Sequence, residues 1–296
     1  MKIIIAGGSG FLGKALENHF KNYEVWILTR NSKRPNEIRW DAKTLGDWTD
    51  SLEKADVLIN MTGKSVDCRY NDENRAEILR SRIDSTNILQ KAVDNCKNPP
   101  KTWLNSSSAT IYVHAETQLM TEANGIIGDD FSINICKSWE KAFFTTPSPQ
   151  TRKVALRTAI VLGREGEAFQ KLKTITRLGL GGQQGNGRQK MSWVHVEDFC
   201  RAVEFIINDS TIDGTINISA PNPIDNQSFM KILREKLKMP FGIPSPTFLL
   251  EIGTLFLQTE TELLLKSRNV YPERLLNYGF QFRFETVDKA LGELVR

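Results

Sequence analysis

Residues Lys2-Ile3-Ile4-Ile5-Ala6 form an apolar, β-branched run that breaks on Gly7-Gly8-Ser9-Gly10-Phe11-Leu12-Gly13. No other stretch of the chain constrains its fold as strongly. A run of this kind suits a strand covered on both faces, and the residues after the glycines have helical spacing. Gly7 permits a tight turn, Gly10 lets a ligand approach the backbone with no Cβ in the way, and Gly13 lets the next helix pack close to the strand. The N-terminus of that helix turns free N–H groups toward whatever fills the turn, which favours an anion. The same glycines in isolation would be weak evidence; between a strand and a helix they predict a dinucleotide diphosphate site.

The alternation continues along the chain. A helix is expected over about 10–22, followed by strands at Glu24–Thr29, Glu37–Trp40 and Ala55–Asn60. A long helix starts near Asn71-Asp72, either of which suits the cap, and Ile78, Leu79, Ile83, Leu89 and Val93 recur on it at helical spacing. Thr102-Trp103-Leu104 starts a fifth strand, a helix spans about 130–144, and Lys153–Arg157 gives a sixth strand. Strand and helix in turn imply right-handed βαβ units. The predicted fold class is α/β, a Rossmann-type doubly wound parallel sheet with a smaller, mostly helical C-terminal part on the substrate side. Residues 1–165 are assigned to nucleotide binding and 166–296 to the substrate side, with the strand near 215–218 returning to the main sheet. The glycine-rich run Gly179–Gly187 reads as a surface loop, with a lid as one role. The apolar stretch Thr247–Leu257 is interrupted by Glu251 and is too short to cross a bilayer. It reads as a helix packed on its own domain, with a membrane-surface or partner-binding helix as the alternative.

The bulk composition excludes several function classes. The 39 basic and 35 acidic side chains are scattered, with no basic stripe to suggest nucleic acid. Cys68, Cys96, Cys136 and Cys200 form no C-x-x-C pair and read as reduced thiols. His19, His114 and His195 stand apart, so no metal site is expected, and no G-x-S-x-G elbow supports a serine hydrolase. Met1-Lys2 leads straight into the first strand without a signal peptide, and the expected setting is cytoplasmic, away from membranes.

Cofactor preference in such folds is set at the end of the second strand. A carboxylate there binds the ribose hydroxyls, whereas arginine pairs with a 2′-phosphate. This chain reads Thr29-Arg30-Asn31-Ser32-Lys33-Arg34, with three cations and no acid. The expected cofactor is NADP(H); a solvated basic turn is the plainer alternative.

The motifs together resemble the extended short-chain dehydrogenases/reductases. The resemblance rests on the glycine spacing, on Asn60-Met61-Thr62-Gly63, and on Ser106-Ser107-Ser108-Ala109-Thr110-Ile111-Tyr112, which is similar to the serine motif of UDP-galactose 4-epimerases. The chain is more similar still to an atypical branch, the epimerase family, whose C-terminal segment is a domain of unknown function. Its hallmarks appear as Gly63 through Ser81-Arg82, Cys136-Lys137-Ser138-Trp139-Glu140, Arg157 through Gly163, Ser192–Asp198, Ser219–Pro223, and Val270–Leu276 into Gly279-Phe280. The resemblance implies that Gly7, Gly10, Phe11, Leu12 and Gly13 line the diphosphate, and Thr29 and Arg30 the 2′-phosphate. Met61, Thr62 and Gly63 are implied at the adenine and inner ribose, with Glu77, Arg82, Ser107 and Arg157 as further cofactor contacts. Extended members often form homodimers, which makes a homodimer an expectation here.

The resemblance also implies a catalytic tyrosine, a lysine four residues on, and a serine that orients the substrate. Ser108 meets the serine position. Counting from Ser108 puts Ile133 and Lys137 in the other two slots; anchoring on Trp139-Glu140 puts Ser132 and Cys136 there. Neither register supplies a phenol. Tyr112, Lys137, Cys136, His114 and His195 remain as candidate replacements by position. Two functions stay open: an NADP(H)-dependent oxidoreductase or epimerase acting on a nucleotide-linked sugar or another small carbonyl compound, and a catalytically silent NADP(H)-binding sensor or interaction module.

Overall fold

The computed structural model describes residues 1–246 and 265–296, so the helix expected at Thr247–Leu257 lies outside the described residues. Seven parallel strands form the central sheet: β1 (Lys2–Ala6), β2 (Glu24–Thr29), β3 (Glu37–Arg39), β4 (Val57–Asn60), β5 (Thr102–Ser108), β6 (Arg152–Thr158) and β10 (Gly214–Ile218). Their order is β10-β6-β5-β4-β1-β2-β3, so β1 lies inside the sheet, with Ile3 opposite Val25 on one side and Val57 on the other. This double coverage is why β1 reads as a continuous apolar run.

Side chains alternate strictly between the two faces. Ile3, Ile5, Ile27, Ile59, Leu104 and Val154 enter one core with α1 (Phe11–His19) and α5 (Val196–Asn208). Ile4, Ala6, Leu28, Leu58 and Trp103 enter the other with α2 (Asp72–Asn95) and α3 (Phe131–Phe144). Each buried isoleucine contributes about 1.5–3 kcal/mol of transfer free energy, and a register slip of one residue would exchange the two faces. Helix starts follow their caps: Asn71 accepts from Asn74 N at 2.8 Å, and Asp130 accepts from Ile133 N at 2.9 Å.

The strand at 215–218 joins the sheet beside β6 as β10. Phe199, Val203, Ile216, Phe280 and Phe282 also enter the core that α1 covers, so much of the chain beyond residue 165 is packed into the nucleotide-side layers. A separate, smaller core gathers Phe169 of α4 (Glu167–Ile175), Trp193 of β9 (Trp193–His195), Phe229 and Leu233 of α6 (Asn226–Lys236), and Leu291 of α8 (Val287–Leu294). Two short pairs, β7 (Ile160–Leu162) with β9 and β8 (Lys190–Met191) with β11 (Ile224–Asp225), the one-and-a-half-turn α7 (Glu273–Asn277), and short helical turns at Asp47–Leu52, Ala109–Ile111 and Thr176–Leu180 complete the described elements.

The glycine-rich run reaches the surface as expected, with Leu180 and Asn186 exposed, but most of its glycines are packed inward. Gly179, Gly181, Gly182 and Gly187 are buried, and Gly182 N and Gly185 N donate to Ile243 O and Ser245 O at 3.2 and 2.9 Å. A Cβ on Gly182 would stand 2.4 Å from Pro244 N, so this glycine serves close backbone packing rather than a lid.

Candidate functional site

A cleft of about 660 Å³ opens where the C-terminal ends of β1, β4, β5 and β6 meet the start of α1. Three of the four glycines of the turn answer to different demands. Gly7 has φ +77°, and a Cβ there would lie 2.8 Å from Met61 C. A Cβ on Gly13 would stand 2.4 Å from Gly8 Cα, which ties the helix to the turn. Gly10 meets only Gly7 O at 3.7 Å, so a side chain there would project into the cleft and leave the protein undisturbed. Gly10 caps α1 without a side-chain hydrogen bond, and no acidic residue occupies the helix's first turn. The first-turn amides thus face the cleft with the positive end of the helix dipole behind them.

Met61, Thr62, Gly63 and Lys64 form the next wall. The Thr62 hydroxyl oxygen is buried and has no hydrogen-bond partner among the described residues. Lys64 Nζ donates to Asn74 Oδ1 at 2.7 Å and pairs with Glu77. Glu77 is thereby engaged on the exposed side of α2 and does not line the cleft, a correction to its expected role; Lys64 holds its carboxyl below the ordinary range. Arg82 does line the cleft. It donates to Lys64 O and Ile78 O at 3.0 and 2.9 Å, and lies 4.9 Å over the Trp139 ring.

At the end of β2, Thr29 is buried and Arg30 is exposed. Arg34 is drawn away by two acids, one on α1 and one three residues on: it binds Glu17 at 2.9 and 3.0 Å and Glu37 at 2.7 Å.

The floor is the serine run. Ser106, Ser107, Ser108 and Thr110 all line the cleft. Ser107 Oγ donates to Glu140 Oε1 at 2.6 Å, which leaves only its lone pairs for a ligand. Ser108 Oγ accepts from Thr110 N at 3.1 Å and lies 2.9 Å from Thr110 Oγ1. Behind the serines, Arg157 grips Glu140 at 2.8 and 2.7 Å and donates to Tyr112 OH at 2.9 Å. Tyr112 OH in turn donates to Asn217 Oδ1 at 2.9 Å.

This network corrects three expectations. Arg157 is 6% exposed and is committed to Glu140 and Tyr112 behind the floor. Tyr112 is fully buried, away from the cleft lining, and burial raises its phenol above the usual range. Lys137 points outward to Asp129 at 2.9 Å. The phase of α3 decides the last case: Ser132, Ile135, Cys136 and Trp139 face the cleft, and Ile133 and Lys137 do not. The register anchored on Trp139 is therefore the one that meets the cleft. The Cys136 thiol, pushed up to about 12 by burial, carries no charge there.

The histidines are placed elsewhere. His195 Nδ1 accepts from Glu197 N to cap α5, and its Nε2 lies 3.1 Å from Glu293 on α8. His114 Nδ1 accepts from Ser267 N at 3.1 Å. Among the described residues no cluster of His, Cys, Asp and Glu could hold a metal ion, and no helix is long and apolar enough to cross a membrane. Tyr70 and residues 165–168 line the cleft without having stood out in the sequence, because they reach it from distant positions.

A parallel sheet with a glycine turn and a serine-floored cleft at its C-terminal edge defines a Rossmann-type protein of the extended short-chain dehydrogenase/reductase class. Residues 3–125 match the NAD dependent epimerase/dehydratase family, and residues 245–294 match a domain of unknown function, DUF1731. Epimerase family protein YfhF of Bacillus subtilis is 30% identical over 304 residues, covering 100% of this chain and 98% of its own. Human epimerase family protein SDR39U1 is 30% identical over 300 residues, covering 100% of each. The crystal structure of human SDR39U1 (isoform2) with NADPH matches at a TM-score of 0.90 with 30% identity, over 100% of this chain and 99% of that one. The nucleoside-diphosphate sugar epimerase from Corynebacterium glutamicum matches at 0.81 with 28% identity, over 99% of this chain and 58% of that one. The chain belongs to this epimerase family.

Proposed function

We propose that the chain binds NADP(H) in this cleft and acts as an atypical short-chain dehydrogenase/reductase on a nucleotide-linked sugar or another small carbonyl compound. The observation that carries the reading is the turn at Gly10, open to the cleft at an uncapped helix N-terminus with no acid in its first turn. The first-turn amides and Gly10 hold the diphosphate, and Arg30 pairs with the 2′-phosphate. The buried Thr62 hydroxyl, partnerless among the described residues, fits a ribose hydroxyl. Ser107, its proton held by Glu140, accepts a hydrogen bond from the bound cofactor, and Ser108 orients the substrate oxygen. When bound, NADPH supplies a hydride. The NADPH-bound human relative supports this choice of cofactor.

Calorimetry tests the reading. NADPH binds more tightly than NADH, and Arg30→Glu removes the preference by weakening NADPH about 10–100-fold, the loss of a charge-assisted contact of about 1.5–3 kcal/mol. Equal affinity for the two nucleotides, or an Arg30→Glu protein with its preference intact, contradicts it.

One observation favours a second reading, a redox-state sensor that turns nothing over. Ser132 and Cys136 line the cleft in the slots that carry tyrosine and lysine in active relatives, and neither is an acid of useful strength. Oxidation of bound NADPH by any member of a carbonyl and nucleotide-sugar panel, followed by cofactor fluorescence, excludes the sensor.

A further inference from the structure

The slots on α3 hold neither a phenol nor a cation, yet the cleft contains both. Tyr70, on the loop entering α2, is the one tyrosine lining the cleft among the described residues. Its ring is fixed from several sides. It stands edge-on to Phe131 with centroids 5.1 Å apart, and the Arg75 guanidinium lies 5.9 Å from its centroid. Arg75 Nε also donates to Tyr70 O at 2.8 Å, and Asn71 caps α2 in the next position. An anchored aromatic of this kind holds its hydroxyl in a narrow range of positions.

The cation is Arg82, further along α2. Its guanidinium is wedged against Gly63, where an added Cβ would stand 3.1 Å from Cζ, and lies over Trp139. Cys136, the residue in the lysine slot, and Tyr70 line the same cleft as Arg82 and interact with its charge. No carboxylate is among them in the described part of the chain, whereas Arg157, one layer deeper, is saturated by Glu140. A half-buried guanidinium beside the lysine slot does electrostatically what the lysine does: it favours a nearby phenolate over the phenol.

We propose that Tyr70 is the proton donor of this cleft and that Arg82 is its activating cation, the two replacing the Tyr-x-x-x-Lys pair missing from α3. The proposal rests on the reading that the cleft binds NADP(H) for carbonyl chemistry. As the carbonyl carbon of the substrate accepts the hydride that NADPH supplies, its oxygen takes the Tyr70 proton, so C=O becomes CH–OH. The phenolate left behind is stabilised by Arg82 and is reprotonated from water. In the oxidative direction the same phenolate removes the proton from an alcohol. Tyr70 touches the substrate in this scheme; Arg82 is a positioning residue that acts through it.

The test needs no substrate. The chain has five tyrosines, and ultraviolet difference titration counts tyrosinates as pH rises. In the wild-type protein one tyrosine titrates at least about one pH unit below the ordinary value of about 10. That early step is absent from Tyr70→Phe, returns toward the ordinary value in Arg82→Met, and is retained in Arg82→Lys. Circular dichroism on each variant reports folding, and the wild-type against Tyr70→Phe comparison decides the matter if Arg82→Met does not fold. The proposal is overturned if all five tyrosines titrate at or above the ordinary value, or if the early step survives in Tyr70→Phe. NADPH calorimetry on the same wild-type sample separates the two readings. Absent NADPH binding with the early tyrosinate present removes the cofactor assignment, and intact NADPH binding without it removes only Tyr70.

Discussion

Glu140 sits at the junction of the cleft floor and the core behind it. Its carboxylate accepts the Ser107 proton at 2.6 Å and two Arg157 donors at 2.8 and 2.7 Å, with both charged side chains almost wholly buried. Removing one partner of such a pair leaves the other charge buried and uncompensated, at a cost of about 3–5 kcal/mol. Glu140→Ala is expected to lose stability on that scale in urea unfolding. Arg157→Met combined with it recovers part of the loss, a coupling a double-mutant cycle reads directly. Additive losses would show that the pair is not a unit. Glu140 was visible in the sequence only as part of a motif, and Arg157 only as a cofactor contact. Their partnership was not legible, because it joins α3 to β6 across the sheet edge, and no spacing along the chain reports such a contact. Arg34 teaches the same lesson for one of its two acids: Glu37 is three residues on, but Glu17 comes from α1.

Most elements of the fold were legible because hydrophobic periodicity reports burial directly. The seven main strands alternate as their apolar positions require, and α2 begins at its expected cap. The phase of α3 was not legible. Two registers one residue apart satisfied the motifs, and only packing against α2 and β5 turned Cys136 inward and Lys137 outward. The close packing of the glycines at 179–187 was not legible for a related reason, since glycine marks a close approach of backbones as readily as a surface turn. His195 joins two elements. It caps α5 through Nδ1, faces Glu293 of α8 through Nε2, and lies 3.8 Å from the Phe284 ring. Burial, the largest influence, depresses its pKa although Glu293 opposes the shift. A depressed histidine pKa means that the folded state takes up its proton less readily than the unfolded chain. Its contribution is therefore complete above the ordinary value of about 6.5 and is lost as pH falls below it. The melting temperature is expected to fall between about pH 7.5 and 5.5, and to fall less in His195→Gln. An equal fall in both proteins would assign the acid sensitivity to other groups.

At the scale of the molecule, one face of the sheet is covered by segments from both ends of the chain, while the smaller core around Phe169, Trp193 and Phe229 flanks the cleft from the other side. Asp67, on the loop before α2, and Lys171, on α4, form an ion pair between segments that border the cleft. A cleft built between a rigid sheet edge and such segments suits an extended dinucleotide, and the turn at its entrance separates binding from folding with unusual clarity. A Cβ at Gly13 collides with backbone, but a Cβ at Gly10 meets nothing nearer than Gly7 O at 3.7 Å. The cofactor assignment is therefore tested most sharply by a calorimetric titration of NADPH into wild type and Gly10→Ala, with melting curves recorded on both. NADPH is expected to bind the wild type, Gly10→Ala to weaken it at least about tenfold, or about 1.4 kcal/mol, and the two proteins to melt together. A wild-type protein that takes up no NADPH, or a Gly10→Ala protein that binds it equally well, would contradict the claim that this turn holds the cofactor.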